Sequence, residues 1–474
     1  MYRLGVGIDY GTSNSAAAWF DGTKVHLVQL EADSIVMPTA CHLDRSLTVK
    51  TGQEAVRQYI DENRDRIVEL TPEVIAKSQL LVDEGGGDPF AKPDVSTVDV
   101  YGAAVIDRGL PGRLFRGVKR LLGSADVRRL MVFDSPFRLV ALVTPILLRI
   151  RKAIERVLPG DISALSIGRP VRFEGDEQGA TLLALDRMAE AATYAGFKSS
   201  QFYPEPLAAT LSYLHAKSSS GAELGQSPES VGVALTFDFG GGTLDLSLVR
   251  YAGTSFEVLA TKGLPKGGDH IDQLLFEHYL FPALGQGLRW SRRIDGTQVE
   301  TEFPFKDFES LLLNWPVTYT LNQNRYRSKI KDCMDSNPEA FEPLKRLDEL
   351  ITHNYSYLVF QAIREAKAKL SEQASAVIDI PELDLAIPLS RESFETMLAP
   401  LLDEINALID GVLEDAKLTP ADVSLVIRTG GSSLIAAVCE QLNRMFPGKV
   451  VEHDPFTSVA EGLAIASYHG YEFV

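Results

Sequence analysis

One local pattern, used twice, most constrains what this chain can fold into. It consists of a short apolar run, an aspartate, a glycine-bearing turn with a threonine, and a second apolar run. The first copy is LGVGI (4–8), then Asp9-Tyr10-Gly11-Thr12-Ser13-Asn14, then Ser15–Phe20. The second is VGVALTF (231–237), then Asp238-Phe239-Gly240-Gly241-Gly242-Thr243-Leu244-Asp245, with Leu244–Arg250 as the returning run. Short apolar runs bounded by Gly and Asp read as buried strands entering turns. A supersecondary unit recurring at long spacing indicates one building block in two halves of similar length.

The remaining organisation is largely helical. Ser135–Arg156 has apolar residues at helical spacing, and Asp176–Ala195 is Ala- and Leu-rich and ends at Gly196, a C-cap signal. Leu358–Glu372 and Arg391–Lys417 read as further helices, and Ser424–Ile427 as a strand before TGGSS. Small polar residues at 217–230 mark a surface connection between halves, and 83–93 and 285–290 read as loops. The 474 residues fit two or three domains sharing a cleft.

Charge narrows the partners. With 64 acidic and 47 basic residues the net charge is −17, which repels nucleic acid and anionic membranes. A nucleotide can still bind where local donors outweigh that field. The three cysteines, Cys41, Cys333 and Cys439, form no CxxC pair and read as free thiols of a reducing compartment. Asp9 interrupts the N-terminal apolar run, so no signal peptide is expected, and Leu139–Leu148 is too short to span a bilayer. A cytoplasmic monomer is expected, and the eight histidines show no metal-ligand spacing.

Both turns have phosphate-binding chemistry. Glycine permits a tight turn and close backbone approach, while turn N–H groups and the hydroxyls of Thr12, Ser13 and Thr243 can donate to phosphate oxygens. An aspartate cannot touch phosphate directly. A hydrated Mg²⁺ between Asp9 or Asp238 and the phosphates removes that conflict. Either turn alone is as compatible with an ordinary glycine hairpin, but the pair is more specific. A third turn, Thr429-Gly430-Gly431-Ser432-Ser433, follows a strand and precedes an apolar run, a possible seat for phosphate or sugar.

VGIDYGTSNS, FDFGGGTLDLSLV and VIRTGGSS resemble the two phosphate motifs and the adenosine motif of the seventy-kilodalton heat-shock chaperones of the DnaK type. FRGVKRLLG (115–123), IGRPVRF (167–173), EPLAATLSYL (205–214), GGDHID (267–272) and DPFTSVAEGLAIAS (454–467) resemble further segments of that family in the same order. RESFETML (391–398) and DAKLTPADVSLVI (415–427) do so as well, so the resemblance covers essentially the whole chain.

The resemblance implies an α/β actin-like ATPase fold, two lobes each with a ribonuclease-H-like core around a nucleotide cleft. Lobe I would span 1–215 and lobe II 216–454, with a helix in 455–474 returning to lobe I. It further implies ATP or ADP with Mg²⁺ held by Asp9 and, through water, by Asp238 and Glu205. Lys119 would position the attacking water, and Thr12 and Thr243 would contact the terminal phosphate. Asp245 would help place K⁺ or a water. Gly11, Ser13, Asn14, Gly240, Gly241, Gly242, Gly267, Gly268, Lys367, Ser371, Gly430, Gly431 and Ser432 would complete the nucleotide site. Spacing alone leaves Lys119 readable as a solvated lysine beside Arg116 and Arg120, and Glu205 as a helix-start acid.

The sequence departs from the family at the base end. Ala368 and Leu434 stand where the family stacks arginines on adenine, Arg364 replaces a glutamate, and Phe456 replaces an aspartate. A stacked cation contributes roughly 0.5–2 kcal/mol, so weaker binding with looser base selectivity is expected. No peptide-binding half of the family's kind is expected in these residues, so a peptide clamp would have to come from elsewhere. The expected functions are a slow Mg²⁺-dependent ATPase acting as a switch read by a protein partner or co-chaperone, a non-catalytic nucleotide-binding scaffold, or a small-molecule kinase of the same fold.

Overall fold

The computed structural model describes residues 4–82, 94–107, 109–133, 135–158, 165–171, 173, 179–219, 231–253, 255–294 and 297–471. The expected loop 83–93 lies outside them, as do residues 220–230 of the expected connection and the first turn of the helix expected from Asp176. The chain divides into two compact units, Met1–Asp61 with Gly112–Ala283 and Tyr357–Val474, and Glu62–Pro111 with Leu284–Ser356.

The first unit contains two sheets of the same design. In one, Gly5–Tyr10 pairs antiparallel with Asn14–Phe20, which pairs antiparallel with Val25–Leu27. On its other side Gly5–Tyr10 runs parallel to Leu165–Arg169, and that strand runs parallel to Ser200–Pro204. The second sheet repeats this with Val231–Phe239, Leu244–Ala252 and Ser255–Leu264 antiparallel, then Leu425–Thr429 and Val450–Glu452 parallel. In chain order each main path reads third, second, first, fourth, fifth. This is the actin-like ATPase fold, with a ribonuclease-H-like sheet in each of two lobes, as the family resemblance implies.

A helix follows the fifth strand of each sheet: Glu205–Ser219 after the first and Ser458–His469 after the second. They pack on each other, and Ser458–His469 also packs on Gly5–Tyr10, burying Leu207, Ala208, Leu211, Leu463 and Ala464 to about 1% exposure or less. Small residues make this approach possible. A methyl group on Gly462 would lie 1.8 Å from the Ala208 carbonyl oxygen, and one on Gly7 would lie 2.3 Å from that of Ala460.

The apolar run at 139–148 lies in a buried helix, Leu139–Val157, whose Leu142, Val143, Ile146, Leu147, Ile150 and Ile154 are at most 1% exposed. Each such side chain contributes roughly 1.5–3 kcal/mol on burial. The helix starts later than its spacing suggests, because Ser135–Arg138 is a strand paired antiparallel with Arg129–Val132. Pro136 explains the shift: the residue before a proline avoids helical backbone, and proline supplies no N–H. The helix Arg391–Asp415 ends two residues early, where Lys417 adopts a left-handed φ of 56°.

The second unit pairs Leu70–Val82 with Asp94–Asp107 and Arg289–Ile294 with Thr297–Glu302. Trp290 of the shorter hairpin packs on Phe303 just after it, and Phe303 and Phe305 pack on Phe308, all nearly fully buried. Residues 289–290, expected in a loop, therefore begin a strand. The buried face of Trp290 outweighs the local Gly signal at 285–287. No helix among the described residues is long and apolar enough to cross a membrane.

The helical glycines give a signed test. Gly462→Ala forces a Cβ into backbone and should lower stability by about 1–3 kcal/mol. Gly411→Ala meets only the flexible end of Lys262, at 3.0 Å, and should raise it by about 0.5–1 kcal/mol. Urea unfolding midpoints of the two variants should move in opposite directions; a shared direction would refute the close-approach account.

Candidate functional site

Both hairpin turns belong to one cavity of about 480 Å³. The first is tight because Gly11 lacks a Cβ, which would lie 2.2 Å from the Asn14 carbonyl oxygen. In the second, the Gly240 N–H donates to the Thr243 carbonyl at 3.0 Å and the Thr243 hydroxyl donates to Asp245 at 2.7 Å. The turns face one another: a methyl group on Gly241 would come 2.9 Å from the Ser13 hydroxyl oxygen.

Lys119 arrives from a separate loop. Gly117, at φ 66°, turns the chain out of the strand Gly112–Arg116 into the 3-10 turn Val118–Leu121. That turn buries Lys119 to 6% exposure. Its ammonium lies 2.6 Å from Oε1 of Glu205, the first residue of the helix that follows Ser200–Pro204. Surface solvation is thus not the role of Lys119, and Glu205 is more than a helix-start acid.

Asp9 and Asp238 share this charge cluster. Burial, and then repulsion from Glu205 and Asp238 against the pull of Lys119, pushes the Asp9 carboxyl up to about 8. Burial, and then repulsion from Asp245 and Glu205, pushes Asp238 up to about 7. For Lys119, burial works against the charged form, but Glu205, Asp9 and Asp238 outweigh it and hold the ammonium above its ordinary value. Negative charge here exceeds what one lysine can offset. That donor set suits a hydrated divalent cation. Among the described residues no group of three or more His, Cys, Asp or Glu is placed to hold a metal ion between them; a cation that keeps several waters of its own needs only one or two carboxylates.

Asp9, Gly11, Thr12, Ser13, Asn14, Lys119, Glu205, Asp238, Gly240, Gly241, Gly242, Thr243, Asp245, Gly430 and Gly431 all line the cavity. Gly267, Gly268, Lys367, Ser371 and Ser432 do not. Most of these brace the second turn from behind. The Gly240 carbonyl accepts from the Gly268 N–H at 2.9 Å and from the Ser432 hydroxyl at 3.2 Å, and the Gly241 carbonyl accepts from the Asp269 N–H at 2.7 Å. Lys367 donates to the Gly268 carbonyl at 3.0 Å and pairs with Asp272 at 2.5 Å. Ser371 is half-buried, and its carbonyl accepts from Arg391 at 3.4 Å.

Sequence reasoning left Arg120 as a mere neighbour of Lys119. It lines the cavity and lies over the second turn, its Nη2 2.1 Å from where a Cβ on Gly242 would sit. The only sequence signal for it is its adjacency to Lys119.

Comparison with known proteins agrees with this geometry. The family model described as "Hsp70 protein" matches residues 129–285 and 340–468, more than half of the chain. The chain belongs to the Hsp70 family. Members of that family are nucleotide-binding, chaperone-type proteins. A chaperone protein HscA homolog of Haemophilus influenzae (strain PittEE) is 26% identical over 467 residues, covering 98% of this chain and 57% of that protein. A chaperone protein HscA homolog of Burkholderia multivorans (strain ATCC 17616 / 249) is 25% identical over 465 residues, covering 98% of this chain and 58% of that protein. The chain thus spans less than two thirds of the length of these curated relatives.

The resemblance would put the adenine beside Ala368, Leu434 and Phe456. Ala368 is exposed, Leu434 half-buried, and Phe456 is 48% exposed with its ring 3.0 Å from a Cβ position on Gly431. Arg364, one turn before Ala368, is already engaged: its Nε donates to the Phe360 carbonyl at 3.1 Å and its guanidinium lies 5.6 Å from the Tyr357 ring centre. Neither Ala368 nor Leu434 carries a cation. Installing both arginines, Ala368→Arg with Leu434→Arg, should tighten ADP binding by about ten- to a hundredfold. Titration calorimetry checks this, and unchanged affinity would show that these positions do not face the base.

Proposed function

We propose that this chain binds ATP and ADP with Mg²⁺ and hydrolyses ATP slowly, as a nucleotide-gated switch of chaperone type. The observation that supports it best is the convergence of two glycine turns on one buried cluster of Lys119, Glu205, Asp9 and Asp238. The Hsp70 family membership points the same way.

In this reading the N–H groups of residues 11–14 and 240–243 cradle the phosphate chain, with Thr12, Ser13 and Thr243 donating through their hydroxyls. Gly430 and Gly431 border the sugar end. Asp9, with Asp238 and Glu205 through water, holds Mg²⁺, which when bound screens the charge of the terminal phosphates. Lys119, kept protonated by its carboxylates, orients the attacking water, and Glu205 holds that ammonium in place. Asp245 steadies Thr243 and can help seat K⁺ or a water. Phosphoryl transfer asks the protein mainly for such positioning and charge neutralisation. The proposed lobes are 1–215 and 216–454, with 455–474 returning to the first, and their closure is what a protein partner or co-chaperone would read.

A second reading, a scaffold that binds nucleotide without turnover, is favoured by the base end, where Ala368 and Leu434 supply no cation and Lys367 is committed to Asp272. The two readings separate cleanly. The first expects Mg²⁺-dependent ATP turnover that stops with chelator and falls by about a hundredfold or more in Lys119→Ala. The affinity of that variant for ADP should change only a few-fold. Equal, saturable binding of ATP and ADP with no turnover in the wild type would instead establish the scaffold.

A further inference from the structure

A second pocket shares no lining residue with the cleft. It lies between the hairpin Arg129–Val132/Ser135–Arg138 and the helix Ala180–Tyr194 and holds about 380 Å³. Four arginines line it, Arg128, Arg129, Arg138 and Arg187, against two carboxylates, Asp186 and Glu190. Positive charge is therefore in excess here, on a chain whose net charge is −17.

The hairpin register sharpens the point. Arg129 stands directly opposite Arg138 in the antiparallel pair. Like charges so placed destabilise a sheet. Glu190 answers one of them, taking two bonds from Arg138 at 2.6 and 2.5 Å. Arg187 forms the floor. Its guanidinium donates to the carbonyls of Leu122 at 2.8 Å, Ser124 at 3.0 Å and Val127 at 3.2 Å, which fixes its position without neutralising its charge. Burial, and then repulsion from Arg138, lowers its proton affinity. Arg128 and Arg129 are exposed at the rim.

The surroundings are not purely polar. Leu182 and Tyr194, on the same helix, are 70% and 65% exposed, and Met131, on the hairpin, is 55% exposed. Guanidinium forks match carboxylates bidentately, and exposed apolar side chains beside them suit a ligand carrying both kinds of group. A long nucleic acid would meet the repulsion of the acidic remainder of the surface.

We propose that this pocket docks an acidic segment of a partner protein, its carboxylates received by Arg128 and Arg129 over Arg187 and its apolar side chains set against Leu182 and Tyr194. The inference does not rest on the nucleotide reading of the cleft.

The test uses the full chain and a fluorescent peptide of alternating Glu and Leu, followed by polarisation at about 50 and about 200 mM salt. Wild type should bind saturably, and more weakly at the higher salt. Arg128→Glu with Arg129→Glu should weaken binding by about tenfold or more with an unchanged melting temperature, since both side chains are exposed. Leu182→Ser should weaken binding of the Glu/Leu peptide but not of an all-Glu peptide. Absence of saturable binding by the wild type, or undiminished binding by the arginine double variant, would overturn the proposal. So would displacement of the peptide by inorganic phosphate where chloride of equal ionic strength has no effect, which would mark a site for a small free anion instead.

Discussion

Lys119 is 6% exposed and 2.6 Å from Glu205, with Asp9 and Asp238 close enough for their charges to hold its proton. Every other part of the site is arranged around that cluster. A charge pair at about 4 Å interacts by roughly 4 kcal/mol at the effective dielectric near a protein surface. One ammonium therefore cannot offset three half-buried carboxylates, and Asp9 and Asp238 respond by holding protons more tightly than exposed aspartates do. A polyphosphate alone would add to the excess. A divalent cation removes it and attracts the phosphates, so under the proposed reading metal and nucleotide bind as coupled ligands, each raising the affinity for the other.

The duplicated sheet explains how these groups meet. In each half the first strand ends in an aspartate at a hairpin turn, and the fourth and fifth strands lie parallel beside it. The fifth strand of each sheet then leads to a helix, and those two helices pack on one another through glycine and alanine. Close packing at Gly462 and Gly7 leaves that joint little slack. The two hairpins are not equivalent, however. Asp9 is opposite Ala16, whereas Asp238 is opposite Asp245. Two carboxylates facing across an antiparallel pair repel, and Thr243 offsets part of this by donating to Asp245. The second hairpin is thus the one with two facing carboxylates, and it is also the one braced by Gly268, Asp269 and Ser432.

What the sequence disclosed follows the same division. Backbone-determined features were legible: the two hairpins, the buried helix over Leu139–Val157, the strand Leu425–Thr429 and its glycine turn. Each depends on apolar runs and on glycine positions that only one conformation uses. Features set by side chains from distant segments were not. Nothing local to Arg120 shows that it lies over Gly242, and nothing in the spacing of Arg364, Lys367 and Ser371 shows that Lys367 is paired with Asp272. The strand Ser135–Arg138 was obscured because its apolar residues continue the periodicity of the helix behind it. Only Pro136 marks the break.

The pairing of Lys367 with Asp272 bears on how the work of binding is divided. Both side chains are largely buried, 14% and 3% exposed, and the lysine also holds the Gly268 carbonyl. Diverting it to a ribose hydroxyl would leave a buried carboxylate short of its partner, a cost comparable to the bond gained. Its present contacts instead run through Gly268 to the Gly240 carbonyl, and so to the second turn itself. Under the proposed reading Lys367 would act on a nucleotide chiefly by fixing the shape of the phosphate cradle. Under the same reading Ala368 and Leu434 would add no cation at the base, and the balance of binding would shift toward the phosphates. The glycine turns, which depend least on side-chain identity, would then carry most of the affinity.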